Sequence, residues 1–332
     1  MPSTVTLHEI SSKNLPGPVP YAVLAPGTDE PLPLCVLLLG GGGTRDSLFD
    51  LEPLFERWWT EGVVPRMILA TPSAGLDYYL EDPAGSLRWD SFLAGDFLPH
   101  LTSTWNPSAR VLAGISGGGY GVLKLAFLYP QVFKAVAAIQ PMLEPGLRES
   151  DVGPRNRLHH IAGGPPQLIG PARDRALWES NNPANRAQTN AQQIRDSGLA
   201  IYLEAAERDF LNAHDGAEFL HRVLWNLDVS HEYHLVRGAD HGGPTFIPRL
   251  GAMFAWFGSL WNPPQPDVAL EESATVWLEA GIEGKPPAGA TGTDAFVKFL
   301  RARFEPVRAQ AAESDPTTNR IFGRLPTPPL VP

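Results

Sequence analysis

Apolar and polar positions alternate along TVTLHEI (residues 4–10) and VPYAVLA (19–25), the period-two pattern of half-buried strands. A Ser-, Pro- and Gly-rich turn separates them, so the chain opens as an antiparallel lead-in. Leu34 to Leu39 is an unbroken apolar run too short for a helix and ended by four glycines, Gly40 to Gly43; such a run marks a central strand buried on both faces. Helical spacing follows over Asp50 to Trp59, a short strand over Arg66 to Ala70, and a long loop over 73–88. WDSFLAGDFLPHLTSTW (89–105) has the amphipathic pattern of one helix leading to a strand from Val111, a sharp turn and an apolar helix. Further strands are expected at 133–139, 199–206 and 230–236, with helices at 182–196, 213–227 and 246–261 between and after them.

This alternation implies an open, mostly parallel sheet with helices on both faces, an α/β fold. The Pro-, Gly- and Arg-rich stretch 143–182 is too long for an ordinary connection and is expected to form an irregular insertion lying over the active site. Past Asn262 the composition shifts to prolines, a weakly helical VALEESATVWLEAG, a KPPAGATGTD linker, a helix DAFVKFLRARF and a Pro-rich terminus. The chain is therefore divided into a catalytic domain, 1–262, and a partly helical extension, 263–332, whose helices offer a surface for a homodimer. With 43% hydrophobic and 19% charged residues, the 332-residue chain can bury a large core. A formal charge of −10 with no basic stripe argues against nucleic acid as a partner. Cys35, the sole cysteine, allows no internal disulfide, and its setting LPLCVLLL suits a buried strand thiol. The start MPSTVTLHEI lacks a basic segment followed by a long apolar run, and no stretch reaches bilayer length, so a cytoplasmic protein without a membrane partner is expected.

Ser116 sits in Gly114-Ile115-Ser116-Gly117-Gly118, a Gly-x-Ser-x-Gly turn between strand and helix that lifts a nucleophilic hydroxyl above a sheet edge. Acyl transfer through serine needs a base and a carboxylate to orient it, and in such folds they follow the serine as acid and then histidine. Asp209 lies just past the 199–206 strand, with Glu207 and Asp215 as alternatives, and His241 follows the 230–236 strand. The ends of these strands lie at the edge where sites gather. The glycine run is not a phosphate loop, since no Gly-Lys-Ser/Thr follows and position 45 is Arg. It can instead turn the N–H of Gly41 or Gly42 toward a substrate oxygen, paired with the N–H of Gly117. Asp77, Tyr78 and Tyr79, in the long loop, are placed either to wall a substrate pocket or to pack on the surface. His159-His160 are read as solvated loop residues, and no metal or other cofactor is expected.

GISGGGYGVLKLAFLYPQVFKAVAAIQP resembles the esterase D or putative esterase branch of the α/β-hydrolases, which includes S-formylglutathione hydrolases, feruloyl and acetylxylan esterases and antigen 85 mycolyltransferases. LLLGGGGTRDS, WDSFLAGDFLPHL, IYLEAAERDF and HEYHLVRGADHGG agree with its oxyanion loop, pre-nucleophile helix, acid-bearing strand end and histidine loop. The resemblance spans roughly residues 20–260 and implies an α/β-hydrolase fold with Ser116 as nucleophile, Asp209 as acid and His241 as base. In this sequence Leu39 or Gly40 stands where the family often has a histidine, Ala239-Asp240 precede His241, and Ile115 and Gly117 replace the His and Met of formylglutathione hydrolases. The expectation is a cofactor-independent serine carboxylic ester hydrolase acting on a small-molecule or carbohydrate ester through an acyl-enzyme. Two alternatives are transfer of the acyl group to a sugar or other alcohol, and a catalytically silent hydrolase fold that binds a partner.

Overall fold

The computed structural model describes residues 3–28, 30–82, 86–156, 175–263, 268–283, 285–290 and 295–302. It divides into two compact units, Met1–Asn262 and Pro263–Pro332. The first holds an eight-stranded sheet: β1 Thr4–Ile10, β2 Val19–Ala25, β3 Leu34–Leu38, β4 Ile68–Pro72, β5 Arg110–Ile115, β6 Ala135–Ile139, β7 Ala200–Ala206 and β8 Glu232–Val236. Their order is β1-β2-β4-β3-β5-β6-β7-β8, with β1–β2 and β2–β4 antiparallel and every later pair parallel. The antiparallel lead-in, the both-faces burial of β3 and the mostly parallel sheet all match the sequence pattern.

Residues of β3 alternate between two cores, as a strand buried on both sides must. Leu34, Val36 and Leu38 join one cluster, Cys35 and Leu37 the other. The second is closed by helix α1 (Ser47–Thr60) and by a long C-terminal helix of this unit, Phe246–Trp261, through Phe55, Trp58, Leu250, Phe254 and Phe257. The opposite face is covered by α2 (Trp89–Phe92), α3 (Leu98–Trp105), α4 (Gly117–Leu128), α5 (Arg175–Asn181), α6 (Pro183–Ser197) and α7 (Ala213–Asn226). The Phe246–Trp261 helix is α8. In the second unit, α9 (Val268–Glu283) brings Trp277 against Phe296 and Phe299, with ring centroids 5.1 and 5.7 Å apart.

Three expectations need correction. The single helix over 89–105 is broken by a π-helical turn, Leu93–Phe97, whose extra residue lets Phe92 and Phe97 stack at 5.6 Å while both stay buried. The stretch 143–182 is not irregular throughout: Arg175–Asn181 is α5, anchored where Trp178 Nε1 donates to Leu147 O at 3.0 Å and Asn181 Nδ2 donates to Glu81 O at 2.8 Å. Helix α1 begins at Ser47, a turn before the expected start. His159-His160 and the middle of the insertion lie outside the described residues.

Lys124, on an apolar helix, is fully buried with its Nζ 3.1 Å from Asp90 Oδ1, and Arg186 holds the other carboxylate oxygen at 2.6 Å. Nζ also donates to Tyr79 O and to Asn181 Oδ1. Burial pulls its ammonium down to about 8, against the attraction of Asp90. These bonds tie α4, the loop before α2 and α5 together. Removing one partner of a buried pair leaves the other uncompensated, so Lys124→Met is expected to cost about 3–5 kcal/mol in guanidinium unfolding. A loss under about 1 kcal/mol would mean that Arg186 alone suffices for Asp90.

Candidate active site

The end of β5 delivers Ser116 to the sheet edge on a turn whose backbone has φ 56° and ψ −120°. Few residues adopt that conformation, and here it is held by Ser116 N donating to Ile139 O at 3.1 Å and by Ser116 O accepting from Tyr120 N and Met142 N. Close backbone packing explains the flanking glycines. A Cβ at Gly114 would lie 2.4 Å from Gly118 O.

His241, after β8, reaches across to this turn. Its Nε2 is 3.0 Å from Ser116 Oγ and its Nδ1 is 2.6 Å from Asp209 Oδ2. An ionised carboxylate only accepts, so the geometry assigns Nδ1–H as donor and leaves Nε2 to accept the serine O–H. The Asp209 side chain is fully buried and that of His241 is 15% exposed. Leu211 N donates to the other oxygen, Asp209 Oδ1, at 2.8 Å. The two rival carboxylates are engaged elsewhere: Glu207 Oε2 accepts from Gly238 N at 2.7 Å, and Asp215 pairs with Arg155. The structure therefore brings Ser116, His241 and Asp209 into one hydrogen-bonded chain.

The glycine loop folds as a turn closed by Gly43 N donating to Gly40 O at 3.0 Å, with Gly42 at its corner in the left-handed region, φ +82°. Gly40 passes so close to the serine that a Cβ there would sit 2.7 Å from Ser116 Cβ. Gly40, Gly41 and Gly43 line the cavity at Ser116. Tyr78 lies over this arrangement, with its ring against Gly117 and its hydroxyl beside Gly41. Burial raises its phenol pKa.

The other two loop residues make contacts of their own. Tyr79 is 2% exposed, donates to Leu39 O at 2.9 Å and packs edge-on against Trp89, because the left-handed backbone at both tyrosines turns one ring to the site and the next into the core. Asp77 Oδ2 accepts from Trp89 Nε1 at 3.1 Å and so braces the loop.

Sequence reasoning missed a buried set behind the histidine loop. Arg249, on α8, donates to Glu204 Oε1 at 3.1 Å, to Gln140 Oε1 at 2.7 Å and to Asp240 O at 2.9 Å. Gln140, itself at φ 39°, donates through Nε2 to His241 O. The carbonyls on either side of the His241 peptide linkage are thus held from below. Burial raises the Glu204 carboxyl, with Arg249 opposing. A polar residue just past a strand end at 140 was the only available signal.

A cavity of about 370 Å³ opens at Ser116 between α1 and α8, with Leu39, Leu51, Ile115, Phe246 and Leu250 as its apolar lining. A larger hollow of about 490 Å³ lies at the opposite edge of the sheet, against the starts of β7 and β8, away from the serine. Among the described residues no group of three or more His, Cys, Asp or Glu is placed to hold a metal ion, and no helix is long and apolar enough to cross a membrane.

Residues 14–257 match the family model described as "Putative esterase". Among solved structures, a ferulic acid esterase superposes with a TM-score of 0.60 at 20% identity, over 77% of this chain and 97% of its own. The S-formylglutathione hydrolase of Agrobacterium tumefaciens gives 0.57 at 16%, over 78% and 94%. The fluorophosphonate-binding serine hydrolase F of Staphylococcus aureus gives 0.56 at 17%, over 77% and 98%. At these identities the likeness is one of fold. A search of curated protein sequences returns no match.

Proposed function

This chain belongs to the putative esterase family, and from that premise we propose that it cleaves carboxylic esters through an acyl-enzyme on Ser116. His241 Nε2 takes the hydroxyl proton as Oγ attacks the ester carbonyl carbon, and the carbonyl electrons move onto oxygen. The N–H groups of Gly117 and Gly41 donate to that oxyanion. Collapse restores the carbonyl and breaks the bond to the alcohol oxygen, which leaves with the proton from His241. Water then repeats the cycle, giving its proton to Nε2 and its oxygen to the acyl carbon, and Oγ departs reprotonated. Asp209 keeps Nδ1–H in place and balances the imidazolium.

The observation that carries this reading is the continuous pair of hydrogen bonds, 3.0 and 2.6 Å, from Ser116 through His241 to a buried carboxylate. A fluorophosphonate probe tests it. The expected result is a single adduct on the peptide bearing Ser116, lost in Ser116→Ala. An unlabelled wild-type protein, or an adduct on another serine that survives Ser116→Ala, would sink the proposal.

A further inference from the structure

Resting on that reading, we infer that the cavity between α1 and α8 is the acyl pocket and that it selects esters of apolar acids longer than acetyl over acetyl esters and over acids carrying hydroxyls. Its base is core: Leu250 is fully buried, and Ile115 and Leu39 pack against the same cluster. The acyl half of an ester stays bonded to Oγ and against the protein through both steps, whereas the alcohol leaves and water enters. A cavity ending on the hydrophobic core therefore suits the half that stays.

Of the polar side chains at this cavity besides Ser116 and His241, Ser47 Oγ accepts from Thr44 N at the start of α1, and Gln140 and Asp50 offer a hydroxylated acid little. Gln140 has both ends of its amide engaged, one by Arg249 and one by the carbonyl of His241. Asp50 stands on the exposed side of α1. A hydroxyl pushed against Leu51, Phe246 or Leu250 would lose its water without gaining a partner. A methylene in the same place is removed from water at no such cost. The volume, about 370 Å³, is at the small end of ligand pockets, so the gain with chain length is expected to rise and then stop.

The test is kcat/KM over p-nitrophenyl acetate, butyrate and hexanoate, set beside acetate esters of ethanol, butanol and hexanol. Each acyl methylene should raise kcat/KM about fourfold, roughly 16-fold from butyrate to hexanoate, with a flatter alcohol series. Leu51→Trp, which fills the cavity, should lower the hexanoate-to-acetate ratio. Should that variant misfold, wild-type inactivation by p-nitrophenyl hexylphosphonate against its methyl analogue reads the same preference, the hexyl compound being faster. Measurable acetate turnover with a flat or falling acyl series, or a steeper alcohol series, overturns the inference and leaves the Ser116 mechanism standing. No turnover of any ester together with no phosphonate adduct removes both.

Discussion

Asp209→Asn is expected to lower kcat for ester hydrolysis by about 10⁴-fold while the protein remains folded. The reason lies in how the carboxylate is held. Leu211 N–H points at Oδ1, so an amide at this position sets its oxygen there and turns its NH2 toward His241 Nδ1. A donor facing Nδ1 forces the proton of the neutral imidazole onto Nε2. That tautomer cannot accept the Ser116 proton, although every heavy atom stays in place. The measurement is kcat on p-nitrophenyl butyrate beside a thermal melt of both proteins. A loss smaller than about tenfold with an unchanged melt would remove Asp209 from the mechanism. Neither rival carboxylate has its freedom: Glu207 receives the Gly238 N–H and Asp215 is paired with Arg155.

The order serine, acid, histidine was legible because each of the three follows the carboxyl end of a strand that announces itself by an apolar run. Periodicity locates such ends, and the topology of a parallel sheet brings them to one edge. What was not legible depends on contacts that leave no period. Arg249 and Lys124 sit within helices where a charged residue ordinarily reads as solvated, yet both are buried, paired with Glu204 and Asp90 across 45 and 34 positions of chain. Tyr78 and Tyr79 are neighbours in an irregular loop, and only their left-handed backbone decides which ring faces the glycines. The π-helical turn at Leu93–Phe97 shifts the phase of an apolar stripe by one residue, which a fixed 3.6-residue template cannot register.

Gly118→Ala is expected to lower kcat by about 10²–10³-fold, the usual loss when one oxyanion donor is removed. The donor itself would still be present, which makes the case informative. A Cβ at Gly118 would lie 1.9 Å from Leu38 O, 2.3 Å from Leu38 C and 2.8 Å from Leu39 N, all of them backbone atoms that cannot swing aside. The first turn of α4 and the end of β3 must then separate. The first carries Gly117 N–H and the second leads into Gly40 and Gly41, so the methyl drives apart the two donors that are proposed to meet one oxygen. Gly17→Ala, where a Cβ meets nothing within 4 Å, serves as the control. Because the displaced donors act on charge that develops during attack, the loss should fall on kcat and leave KM little changed. Kinetics and a thermal melt on the two variants decide it. Full kcat in Gly118→Ala would mean that the close seating of α4 on β3 serves packing alone, with the oxyanion stabilised elsewhere.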